Sequence, residues 1–132
     1  QETGTSLTTF VSPGRQQYHA SACKAWVNAN TNGTSDVSYN VSSITDVATG
    51  RIGVNFTIAF SSADYVPVPG AQKALDTVGT GERASVLVIT IDSAGTISAS
   101  RCDFVCVKAY DAGSDATATD PQEWHMAFFG DQ

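Results

Sequence analysis

Lysine and arginine are scarce in this chain: seven among 132 residues, against thirteen aspartates and glutamates, for a formal charge of −6. The seven are scattered, so no cluster exists that would release counterions from a nucleic acid or an anionic lipid surface, and neither is an expected partner. No apolar run approaches the roughly 20 residues that a membrane-spanning helix needs. The N-terminal QETGTSLTTF lacks the basic and apolar regions of a signal peptide, so no membrane insertion is expected. A start at Gln1 instead of Met fits a piece of a longer polypeptide, and a trimmed tag equally.

Cysteine is sparse and odd in number: Cys23, Cys102 and Cys106 leave at least one thiol unpaired and exclude a dense disulfide scaffold. On one strand, Cys102 and Cys106 would stand roughly 13 Å apart, too far for a bridge. The expectation is three buried thiols acting as small apolar residues, with a bond from Cys23 to either of the others left open. Histidine is rarer still. His19 and Cys23 have the spacing of two ligands on one helix face, but no second pair accompanies them, and no metal or other cofactor is expected. No G-x-S-x-G elbow, P-loop or dinucleotide fingerprint occurs, and Gly79-Thr80-Gly81 is too short to cradle a phosphate. The chain is therefore not expected to be an enzyme. The sequons at Asn32, Asn40 and Asn55 are read as coincidences of a Ser/Thr-rich chain.

What is abundant is alternation. In Cys23 to Ala29 the residues Cys23, Ala25 and Val27 alternate with Lys24, Trp26 and Asn28, and from Arg51 onward Ile52, Val54, Phe56, Ile58 and Phe60 share one face. Val37, Tyr39 and Val41 form a matching run, with Asp46 to Gly50 as the reversing loop of a hairpin. Asp64 to Gly70 contains Pro67 and Pro69, which cannot both donate to a central ladder, and reads as an edge strand or as the exit from one. Ala71 to Arg83 holds at most one helical turn and a glycine-rich loop. Ala84 to Asp92 leaves almost no polar face, Ile97 to Tyr110 reads as one long strand, and Glu123 to Phe129 closes the series; these three are apolar on both faces. The fold class is all-β, an antiparallel β-sandwich of about seven strands. Residues 1–14 form an N-terminal tether and 15–132 the sandwich domain. Strands apolar on both sides exceed what one small sandwich hides, so oligomerisation is expected.

The acidic loop Asp111 to Gln122 is flanked by Tyr110 and Trp124. Sugar rings stack on such aromatic faces while carboxylates bond their hydroxyls, so the candidate ligand-binding residues are Tyr110, Asp111, Asp115, Asp120 and Trp124. The loop lacks the Asp spacing of an EF-hand.

The run from Tyr39 to Phe60, YNVSSITD followed by a short loop, a glycine and VNFT, closely resembles the C-terminal domains of bacteriophage tail fibres. Phe10 to Val27, FVSPGRQQYHASACKAWV, resembles the connector and first strand preceding that domain, with Ala20 and Cys23 where members often carry Pro and Ala. The two stretches span roughly Thr8 to Phe60. The resemblance implies a fibre-tip module, normally trimeric, placed on the virion tail after assembly in the host cytoplasm. It would join the upstream part of the fibre and attach to a bacterial surface glycan or other host receptor without catalysis. A purely structural module that trimerises without binding a receptor is the alternative.

Overall fold

The computed structural model describes residue 19 and residues 21–72, 85–110 and 117–132. Among them are ten strands and no helix: β1 Cys23–Asn30, β2 Ser35–Tyr39, β3 Val41–Ala48, β4 Arg51–Phe56, β5 Val66–Gln72, β6 Ser85–Ile91, β7 Ile97–Ser98, β8 Arg101–Tyr110, β9 Thr117–Ala118 and β10 Glu123–Phe129. All pairings are antiparallel. One sheet has the order β2-β1-β10-β5; the other runs β3-β4-β8-β6, with β7 and β9 also paired to β8. The expected tether, residues 1–14, lies outside the described residues, as does most of the stretch from Ala71 to Arg83, whose first two residues close β5.

The two sheets share one core. Ala25, Val27 and Ala29 of β1 and Trp124, Met126 and Phe128 of β10 meet Ile52, Val54 and Phe56 of β4 and Cys102, Phe104 and Cys106 of β8. Each set follows the period of two, so a single alternating pattern per strand builds the interior. At one end Phe56 meets Phe128 edge-on at 4.8 Å and Phe60 stacks on Tyr65 at 4.5 Å. The buried Tyr65 hydroxyl lies 3.1 and 3.0 Å from the carbonyls of Ser98 and Arg101, which anchors this aromatic group to β7 and β8.

Several expectations are corrected, each by one local device. Tyr39 and Val41 do not share a strand face. Asn40 between them has φ 56° and hands the chain from one sheet to the other. Its side-chain amide donates to the carbonyls of Lys24 and Ile58, and its Oδ1 accepts from the Ile58 amide at 2.7 Å. An asparagine tolerates this left-handed backbone because its short polar side chain bonds locally. The same clasp ends β4 at Phe56, so Ile58 is 63 % exposed instead of buried.

The hairpin reverses at Thr49 and Gly50 alone, since β3 continues to Ala48. The long strand expected from Ile97 to Tyr110 is broken by a reversal at Ala99 and Ser100, across which Ile97 and Ser98 pair with Cys102 and Arg101, and the carbonyls of Ala99 and Ser100 accept from Phe60 and Phe56. A bulge between Cys23 and Ala25 turns Cys23 out of the core, where it is exposed. All three cysteines are free thiols. Within the single chain β6 is covered on one side only: Leu87, Ile89 and Ile91 pack on the core while Val88 is exposed.

β5 is indeed an edge strand. Pro67 and Pro69 stand two residues apart, so their missing donors fall on one side. The ladder to β10 can then run through Val66, Val68 and Gly70 while the open edge is blunted.

Candidate functional site

The residues singled out around the acidic loop do not converge on a described site. Tyr110 closes β8 opposite Ser85, but its side chain lies outside the described residues, together with Asp111 and Asp115. Trp124 is fully buried in the core, with no face open to a sugar, and its Nε1 finds no hydrogen-bond partner among the described residues. Asp120 serves the fold: its Oδ1 accepts from the Gly50 amide at 2.5 Å. Gly50 has φ 68°, and a Cβ there would come within 2.5 Å of the Thr119 nitrogen and 2.7 Å of the Cys106 carbonyl oxygen. Only glycine lets β9 and the β3–β4 turn close on each other. Burial, then the charge of Asp120, pushes the Cys106 thiol up to about 11, so it stays neutral and inert.

The surface that is unusual lies elsewhere, on the outward side of the four-stranded sheet. Because strand-paired residues share a face, the register lays out rows across it. One row is Tyr39, Trp26, Ala127 and Val68; the next is Val37, Asn28, His125 and Gly70. Phe129 and Val66 continue the apolar end, and Asn30, Glu123 and Gln72 the polar end. Of nine large apolar side chains exposed among the described residues, five stand here: Trp26, Val37, Tyr39, Val66 and Val68. That concentration separates this face from singly scattered exposed apolar residues, which carry no message.

The face is also hollowed. Ala127 and Gly70 are small where Trp26 and Val68 are large, leaving an open trough of about 390 Å³ bordered by Trp26, Asn28, Val68, Gly70, His125 and Ala127. Trp26 is 40 % exposed. Asn28 contributes an Oδ1 that is buried and has no hydrogen-bond partner among the described residues. His125 Nε2 stands 3.5 Å from Glu123 Oε2. The arrangement joins an aromatic wall to hydrogen-bonding groups, which is the make-up of a small-ligand site.

By contrast, the outward side of the other sheet is largely satisfied within itself along β3, β4 and the start of β8. Asn55 donates to Ser43 and Thr45, and an Arg101–Asp103 ion pair at 2.6 Å lies over Gly53, where any side chain would collide with it. The amides of Asn40 and Asn55, both within sequons, are thus occupied by structural hydrogen bonds.

The signal for Trp26 was present in the alternation of β1, where a tryptophan sits between Lys24 and Asn28 on the side opposite Ala25 and Val27. What local pattern could not supply is the neighbourhood, since β10 and β5 come from residues about 100 and 40 positions away. Comparison with protein-family models, with curated proteins and with solved structures finds no match for this chain.

Proposed function

We propose that the chain is the C-terminal module of a bacteriophage tail fibre, a homotrimeric β-sandwich that attaches the virion to its host by binding a bacterial surface glycan, without catalysis. The observation that carries the reading is the trough and its apolar surround on the four-stranded sheet, an exposed surface with an aromatic wall and an acceptor, Asn28 Oδ1, that has no partner among the described residues. The likeness of Thr8 to Phe60 to fibre-tip sequences supplies the setting: a virion tail, an upstream fibre and a host cell.

A trimer suits a shallow site. Three weak sites on one rigid body act by effective concentration, which multiplies avidity without new contacts. The outward residues of β6 and β8, exposed Val88 with half-buried Val105 and Val107, are the surface left for copies to share. That same aliphatic ridge favours the second reading, a structural module that trimerises and stiffens the fibre while adhesion is performed elsewhere. Adsorption of the fluorescently labelled chain to a panel of bacterial strains separates the two. An attachment module is retained by some strains and not others; a structural one shows no preference.

A further inference from the structure

We propose that the trough on the outward face of the four-stranded sheet binds a neutral saccharide, with Trp26 as the stacking wall and Asn28 and the His125–Glu123 pair as partners for its hydroxyls. This rests on the attachment reading and gives it a place and a ligand class. Trp26 and Val68 stand on either side of Ala127, two strand spacings or roughly 10 Å apart, so a ring entering between them finds a low floor and two apolar walls. The trough, at about 390 Å³, falls in the range of small-ligand sites.

Charge selects the class. Among the described residues no Lys or Arg borders the trough, Lys24 on Trp26's side of β1 is buried, Glu123 lies at the polar end of the face, and the chain carries −6, so an anionic ligand finds no basic side chain at the trough to hold it. The unpartnered acceptor selects among neutral occupants. Among the described residues Asn28 Oδ1 has no partner, which is costly, and turning the amide about its soft terminal torsion is what would bring that acceptor to a donating hydroxyl in the trough. A second copy of the chain would do the opposite. Protein interfaces put apolar residues at the centre and polar ones at the rim, whereas here Asn28 and His125 border the hollow itself and would be sealed under apolar surface without partners.

The test uses the whole chain on an array of neutral hexose oligosaccharides beside uronic-acid-containing ones, with sedimentation of every variant. The expected result is binding to neutral members, weakened about tenfold or more in Trp26→Ala and several-fold in Asn28→Ala, with the sedimentation coefficient unchanged. Ligand-dependent tryptophan emission should report Trp26, since the other tryptophan, Trp124, is sealed in the core. Undiminished binding by Trp26→Ala, or preference for the uronic acids, overturns the proposal. So does a change of association state in Trp26→Ala, which would make the face a contact between copies. Wild-type chain that adsorbs to cells but binds no neutral sugar overturns the site and leaves attachment standing; chain that does neither overturns both.

Discussion

Asn40 offers the sharpest test of how the two sheets are joined. Replacing it with glycine removes three side-chain hydrogen bonds, to the Lys24 carbonyl and to both backbone groups of Ile58, while keeping a residue at ease at φ 56°. At about 0.5–1 kcal/mol per bond for groups partly returned to water, with about 0.5–1 kcal/mol for the added freedom of the unfolded chain, Asn40→Gly should cost about 2–4 kcal/mol. Alanine loses the same bonds and also places a Cβ in the left-handed region, at a further about 1–2 kcal/mol, so Asn40→Ala should cost about 2.5–5 kcal/mol. Aspartate keeps the acceptor for the Ile58 amide but turns a carboxylate towards two carbonyls, and should be no better than alanine. Urea unfolding at neutral pH ranks the three. In a domain of this size Asn40→Gly should lower Tm by roughly 10 °C. Alanine more stable than glycine, or either variant within about 0.5 kcal/mol of the parent, would refute the account of the corner.

Three further outcomes are expected. Asp120→Ala should cost about 1–2 kcal/mol by releasing the charge-assisted bond to the Gly50 amide, and Gly50→Ala should cost more, because its Cβ meets backbone on two sides; thermal unfolding checks both, and tolerance of Gly50→Ala would refute the packing argument. A thiol reagent added to the folded chain should titrate Cys23 alone, with Cys102 and Cys106 reacting only on denaturation; three fast thiols would contradict their burial. The thiols of Cys102 and Cys106 are each pushed from 9.0 up to about 11, chiefly by burial, with Asp103 adding to the first and Asp120 to the second. The folded chain then holds protons that the unfolded chain has lost, so stability should fall as pH rises from about 9 to about 11, by on the order of 2 kcal/mol per thiol. Urea midpoints at pH 8 and 10 should converge in Cys102→Ala/Cys106→Ala relative to the parent; an unchanged gap would rule out the thiols.

Period-two alternation found the strands that carry the core. Glu123 to Phe129 has its expected bounds, and Pro67 with Pro69 identified an edge. The failures lie where one residue changes the direction of the chain. Asn40 looks like any polar residue in a run of alternating ones, and its left-handed backbone depends on partners at Lys24 and Ile58 that no local window contains. The bulge at Cys23 and the exposure of Ile58 likewise have no mark in the local alternation. Strand β6 reads as doubly buried because Val86 to Ile89 is wholly apolar, yet apolarity states a need for cover and not its source. For the site, two tryptophans exchanged roles. Trp124 flanks a conspicuous acidic loop and is core; Trp26 sits in an unremarkable strand and walls the trough, because sheet order places it beside small Ala127.

The central claim is that this domain attaches to cells through the outward face of its four-stranded sheet. Its most direct measurement is retention of the labelled chain on a panel of bacterial strains, with Trp26→Ala run in parallel. The account predicts strain-selective retention by the parent and loss of that retention in Trp26→Ala, whose fold and assembly are unchanged. Equal retention of the two, or retention by no strain, would contradict it.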